Sequence, residues 1–268
     1  MINLVVTHSL ERQFAGYAFD LDGTIYLGDE LLDGAAETIA TLRAVARVVF
    51  VTNKPLETAE SYAAKLTKLG ISTSRDDVVT PLDALVQYLD DNHRGARVLT
   101  VAETLVDDVL RANGHAVVGN PLDADVVVVS FDRTFTYAKL LAAYQAVGNG
   151  ASIIATNPDP FCPTPEGGLP DCAAMLAAVE ACTGGRAEAI VGKPSAHMGR
   201  AILTRLGAAP EDSVIVGDRL LTDIAMADEL GMSSVLVLTG VTKLDDLADS
   251  HVQPDFVVRS LRNLLPNR

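Results

Sequence analysis

Short β-branched runs alternate with amphipathic stretches along the whole chain, the pattern of parallel strands covered by helices. Tyr17–Leu21 and Val48–Thr52 read as buried strands, separated by a helix over Ala35–Val45 whose Ala35, Ile39, Leu42 and Val45 share one face. A helix over Leu56–Leu69 ends at Gly70, where a left-handed cap is expected. From about Leu82 to Arg186 the chain carries a set of its own. It has strands at Arg97–Val101, Ala116–Val118, Asp125–Ser130 and Ser152–Thr156, and helices at Glu103–Asn113, Tyr137–Val147 and Cys172–Cys182. The first rhythm then returns, with strands at Ala189–Val191, Ser213–Val216 and Ser234–Leu238 and helices at Ala196–Leu206 and Ile224–Leu230. The pattern predicts a discontinuous α/β domain, residues 1–81 and 187–268, with a second α/β lobe, residues 82–186, inserted into it.

Composition narrows the function classes. At 268 residues and 49% hydrophobic, the chain can bury one large core or two smaller ones. A formal charge of -14, with no Lys/Arg-rich run, argues against a nucleic-acid partner. Cys162, Cys172 and Cys182 form neither a CxxC pair nor an even set, which favours a reducing compartment. Apolar runs such as Val126–Val129 are strand-sized, and the opening MINLVVTHSL has no basic segment ahead of an apolar one. A cytoplasmic protein without a membrane partner is expected, and the pattern leaves room for a homo-oligomer.

Candidate chemistry gathers where predicted strands end, the place where open parallel sheets bind ligands. These ends carry Phe19-Asp20-Leu21-Asp22-Gly23-Thr24, Val51-Thr52-Asn53, Gly192-Lys193-Pro194, and Gly217-Asp218 with Asp223 shortly after. Period-two alternation puts Asp20 and Asp22 on one side, and Gly23 permits a tight turn that bares backbone N–H groups. With Asp218 they offer hard oxygen ligands suited to Mg²⁺, while Lys193 and Thr52 supply a cation and a hydroxyl to a phosphoryl group. Taken singly, each piece has a plainer reading. DxDG can be a turn, Asn53-Lys54-Pro55 a strand end, Lys193 a solvated side chain, and Asp223 the N-cap of a helix beginning at Ile224. It is their shared position, each at the end of an apolar strand, that points to one site.

These residues carry a resemblance to the haloacid dehalogenase (HAD) superfamily of phosphohydrolases, and within it to the NagD-like, p-nitrophenyl-phosphatase-like branch. The matching stretches are FDLDGTIYLGDELLDGA at 19–35, FVTNKP at 50–55, VGKPSA at 191–196 and VGDRLLTDI at 216–224, which are similar to the superfamily motifs. VVVSFDRTFTYAKL at 127–140 and ATNPDPFCPTPEGGLP at 155–170 resemble the inserted cap of this branch. The resemblance implies a Rossmann-like core with a parallel sheet, an inserted α/β cap domain, and a Mg²⁺-dependent phosphatase acting on small phosphorylated metabolites. It implies that Asp20 is the nucleophile, giving an aspartyl-phosphate, and that Asp22 is the general acid and base. It also implies that Asp20 and Asp218 hold Mg²⁺ by carboxylate and Asp22 by its main-chain carbonyl. Thr52 and Asn53 then hold phosphoryl oxygens, Lys193 neutralises them, and Asp223 orients Lys193 or a water on the metal.

The four core stretches leave recognition of the rest of the substrate to the inserted lobe. Asp171, expected as the N-cap of the helix at Cys172–Cys182, is the candidate acceptor for substrate hydroxyls, with Asp171–Met175 as the selecting stretch. Sugar or polyol phosphates are favoured on that basis over nucleotides with several phosphates, and nucleoside monophosphates stay within the expected substrate range. The rival functions are a catalytically silent sugar-phosphate binder, which would be expected to lose Asp20 or Asp22 first, and a phosphotransferase or mutase on the same core.

Overall fold

The computed structural model describes residues 6–7, 9–10, 12–164 and 167–265. Most of the opening MINLVVTHSL and two residues of the stretch ATNPDPFCPTPEGGLP at 155–170 lie outside the described residues. The chain divides into two compact units: Met1–Thr52, Ala59–Val79 and Gly199–Arg268 form the first, and Asn53–Thr58 and Thr80–Met198 the second.

The first unit is built on a six-stranded parallel sheet. In spatial order its strands are Phe256–Val258, Ser233–Val237, Ser213–Gly217, Gly16–Asp20, Arg47–Val51 and Val78–Val79. Gly16–Asp20 and Ser213–Gly217 pair in the middle, with Phe19 opposite Val216. The adjacency brings Asp20 and Asp218 to one end of the sheet, because each stands at or just past the C-terminal end of its strand. Phe19, Phe50, Val214, Val216 and Val235 form the centre of the core under the helices Ala35–Arg43 and Ala59–Lys68. Gly70 follows the second of these helices at φ +100°, the left-handed turn its position suggested.

The second unit has a five-stranded parallel sheet, ordered Ala187–Ile190, Ser152–Ala155, Val126–Val129, Arg97–Val101 and Ala116–Val117. Val126–Val129 is the central strand, and all four valines are fully buried. A run of identical β-branched residues is what a strand covered on both faces requires, and each buried valine contributes about 1.5 kcal/mol or more. The expected return to the first sheet near 187 is corrected here: Ala187–Ile190 pairs with Ser152–Ala155 and completes the second sheet.

Several elements, most of them short, escape the periodic reading. Val78–Val79 and Phe256–Val258 are edge strands too short to show alternation. Tyr26–Leu27 and Glu30–Leu31 make a small hairpin just after the Asp20 strand. The helix Pro81–Asn92 carries a capping box, in which Thr80 Oγ1 accepts from the Asp83 N–H and Asp83 Oδ2 accepts from the Thr80 N–H. No helix among the described residues is long and apolar enough to cross a membrane.

Candidate active site

In the first unit Asp20 is the last residue of its strand. The chain then turns through Leu21–Tyr26, where the Leu21 carbonyl accepts from the N–H groups of Ile25 (2.8 Å) and Tyr26 (3.2 Å). Gly23 sits in this turn at φ +86°, and a Cβ there would lie 2.7 Å from Asp218 Oδ2. Glycine is therefore required at Gly23 twice over, by backbone conformation and by space. Asp22 is partly buried beside it. Thr52 stands just past the neighbouring strand, 2% exposed, its N–H donating to the Val79 carbonyl.

Carboxylate oxygens of Asp20, Asp218 and Asp223 lie within 4.8 Å of one another. Asp218 and Asp223 are each 1% exposed. Three carboxylates drawn this close repel one another unless a cation or protons offset their charge. An all-oxygen, partly buried donor set is what a hard divalent cation binds, so the residues present fit such an ion.

Read alone, the third member of this cluster is expected as a helix cap, and the resemblance makes it a residue that orients Lys193 or a water on the metal. The helix in fact begins at Ala225, and Leu220–Ile224 form a wider π-helical turn that carries Asp223 inward. Its Oδ2 accepts from the Arg219 N–H, and a Cβ on Gly217 would lie 2.5 Å from the same oxygen. The absent side chain at Gly217 makes the space that Asp223 fills. Such turns recur at functional sites because they re-aim a side chain that a regular helix would direct elsewhere.

In the second unit Asn53 and Lys193, 140 residues apart, are joined directly. The Asn53 amide donates to the Lys193 carbonyl (3.0 Å) and to Asp159 Oδ2 (2.9 Å), while its Oδ1 accepts the Lys193 N–H (2.8 Å). Both hydrogens of the amide are thereby used. The Asn53 side chain thus fixes the Lys193 backbone. Lys193 itself is 2% exposed, which removes the reading of a solvated lysine.

Asp171 caps the helix Cys172–Thr183, its Oδ1 accepting the Cys172 N–H (2.6 Å) and the Asn157 amide (3.3 Å). Asn157 also donates to the Asn53 carbonyl and accepts the Asp159 N–H, so Asn53, Asn157, Asp159 and Asp171 form one network. Burial is the main cause that pushes the Asp171 carboxyl up to about 6, with the nearby Asp159 charge adding to it. At 2% exposure its Oδ1 serves the chain's own N–H groups. Met175, the far end of the expected selecting stretch, packs against the second unit's core. Asn157 and Asp159 were not singled out as site residues, although both follow the strand Ser152–Ala155 as polar groups at a strand end.

Residues 17–116 match the haloacid dehalogenase-like hydrolase family, and residues 190–264 match a HAD-hydrolase-like family. The sugar-phosphatase AraL of Bacillus subtilis is 35% identical over 98% of this chain and 96% of its own length. The chain belongs to the haloacid dehalogenase-like hydrolases. Within them it falls in the NagD-like branch, and this HAD hydrolase is a phosphoric monoester hydrolase. The 4-nitrophenylphosphatase of Thermotoga maritima superposes with a TM-score of 0.87 at 36% identity, covering 92% of this chain and 95% of that one. A glycerol phosphate phosphatase from Mycobacterium tuberculosis, solved in complex with magnesium, superposes with a TM-score of 0.87 at 32% identity, covering 95% of this chain and 77% of that one. The Rossmann-like core of the HAD hydrolases corresponds to the six-stranded sheet that carries Asp20 and Asp218.

Proposed function

We propose that this protein is a Mg²⁺-dependent phosphatase of small phosphorylated metabolites, sugar or polyol phosphates foremost, and that it works through an aspartyl-phosphate on Asp20. The observation that carries the reading is the convergence of Asp20, Asp218 and Asp223 at the C-terminal end of the parallel sheet. Asp20 and Asp218 hold the ion by carboxylate and Asp22 by its main-chain carbonyl, with Asp223 supporting the set. Bound there, Mg²⁺ supplies positive charge that offsets the carboxylates and the phosphate.

One Asp20 carboxylate oxygen attacks phosphorus as the bond to the leaving oxygen breaks, and Asp22 gives that oxygen a proton. Asp22 then takes a proton from the water that attacks the same phosphorus, which returns Asp20 as a carboxylate and releases phosphate. Thr52 donates to the phosphoryl oxygens and Lys193 neutralises them, while Asn53 holds Lys193 in place. We assign the cap role to the inserted second unit.

The preference for sugar or polyol phosphates is supported by the names of two similar proteins, a sugar-phosphatase and a glycerol phosphate phosphatase. Intact Asp20 and Asp22 weigh against a silent binder, and a phosphotransferase would leave phosphate on an acceptor other than water. The test is release of inorganic phosphate, with Mg²⁺ present, from a panel of sugar phosphates, polyol phosphates, nucleoside monophosphates and p-nitrophenyl phosphate. Highest kcat/KM on sugar or polyol phosphates is expected. No release from any member would contradict the enzyme reading, and a preference for nucleotides would overturn the substrate class.

A further inference from the structure

Asp218, one member of the carboxylate cluster, is held by a loop that none of the motif residues belongs to. The segment Thr239–Thr242 follows the strand Ser233–Val237, at the same end of the sheet as Asp20 and Asp218. The Val241 N–H donates to Asp218 Oδ2 at 2.6 Å, and the Thr242 N–H donates to the Asp218 carbonyl at 3.1 Å. The Thr239 hydroxyl donates to the Gly23 carbonyl at 2.6 Å, which ties the loop to the turn after the nucleophile. Lys243 Nζ holds the loop from its far side by donating to the Gly240 carbonyl at 2.7 Å.

Two glycines make this approach feasible. A Cβ on Gly240 would lie 2.6 Å from the Cβ of Asp218 and closer still to its Oδ2. A Cβ on Gly23 would lie 3.0 Å from the Gly240 Cα, so Gly23 and Gly240 pack back to back beside the Asp218 carboxylate. An aspartate with one oxygen on a backbone N–H, and bare glycine backbone on two sides, is restricted to one orientation. Pre-orientation of this kind sets affinity at metal sites, because an unrestrained ligand loses rotamer freedom when it binds.

We propose that the Thr239–Thr242 loop positions Asp218 for Mg²⁺, with Gly240 and Thr239 as positioning residues that set the protein's Mg²⁺ affinity without touching the ion or the reacting atoms. This inference rests on the Mg²⁺ reading above. Gly240→Ala places a methyl group where the Asp218 side chain now lies. Thr239→Val keeps the shape of Thr239 and removes only the hydroxyl, and Thr239→Ser restores that hydroxyl.

The experiment is titration of each full-length variant with MgCl₂ by isothermal calorimetry, with thermal unfolding in excess chelator to read the metal-free fold. Kd for Mg²⁺ is expected to rise on the order of ten- to a hundred-fold in Gly240→Ala and several-fold in Thr239→Val, and to return toward the wild-type value in Thr239→Ser. The Tm in chelator should change little in the two Thr239 variants. If Gly240→Ala fails to fold, Thr239→Val against Thr239→Ser decides the matter. Wild-type Mg²⁺ affinity in Thr239→Val, or a loss in Thr239→Val that Thr239→Ser does not recover, would overturn the inference while leaving the metal reading standing. A wild type that shows no saturable Mg²⁺ binding would remove both.

Discussion

Single side chains in this protein are committed to one set of partners, and that commitment decides what each can do. Asn53 spends its whole amide on Asp159 and the Lys193 backbone. Asn53→Ala should therefore lower unfolding stability by about 1–3 kcal/mol in urea titrations, and Asn53→Asp should cost more. The aspartate would face Asp159 Oδ2 and the Lys193 carbonyl with oxygen in place of a donor. Equal losses from the two variants would contradict the hydrogen-bond assignment. Asp171 gives a second test, through pH. Its folded-state value is about 6 against an ordinary 3.8, chiefly through burial, so the protonated form suits the fold better than the ionised one. The stability this gives is fully present below the ordinary value and is lost as pH rises through the folded one. Compared with wild type, Asp171→Asn should gain on the order of 2 kcal/mol at about pH 8, a gain that shrinks toward zero at about pH 4. Asparagine keeps an acceptor for the Cys172 N–H, so a pH-independent difference in Tm would contradict this reading.

At the scale of elements, the sheet ends locate the chemistry and short irregular pieces aim it. Gly217 ends the strand Ser213–Gly217, and the turn Leu220–Ile224 returns Asp223 against it. Gly217→Ala should expel the Asp223 carboxylate, lowering both Tm and turnover, while a serine or alanine at exposed Gly119, with open space around it, should leave both unchanged. A Gly217→Ala variant with wild-type turnover would show that Asp223 does not need that space. The contrast explains what the sequence made legible. The long periodic elements, from the strand at Arg47–Val51 to the helix at Ala196–Leu206, announce themselves through alternation or a 3.6-residue face. The residues after the strand ends stand out because Asp, Thr, Asn and Lys there interrupt apolar runs. The two-residue strand Val78–Val79 has no room for a pattern. Thr80-Pro81 with Asp83 did carry a capping-box signal that the periodic reading passed over. The π-helical turn at Asp223 was illegible for a different reason. An aspartate just ahead of a helical pattern reads as an N-cap, and only the tertiary space at Gly217 favours the wider turn. Asn53 was likewise visible as a polar residue at a strand end, but its partners Asp159 and Lys193 are more than a hundred residues away in sequence.

For the whole molecule, the separation into two sheets puts the carboxylate cluster in the first unit and the network around Asn53, Lys193 and Asp171 in the second. The strand Ala187–Ile190 showed why the boundary was hard to place: its composition suits either sheet, and pairing with Ser152–Ala155 settles it. Removal of divalent cations should stop hydrolysis of p-nitrophenyl phosphate and lower Tm, because Asp20, Asp218 and Asp223 are then left facing one another. Mg²⁺ should restore both, and full activity after exhaustive chelation would contradict the metal site. The most direct measurement concerns the bond to Asp20. Rapid acid quenching during turnover, followed by peptide mass spectrometry, should find one phosphoryl group on the peptide containing Asp20 in the wild type and none in Asp20→Asn, whose turnover should fall by at least about three orders of magnitude with the fold retained. Phosphate trapped on another residue, or an Asp20→Asn variant with near wild-type turnover, would contradict the assignment of Asp20 as the nucleophile.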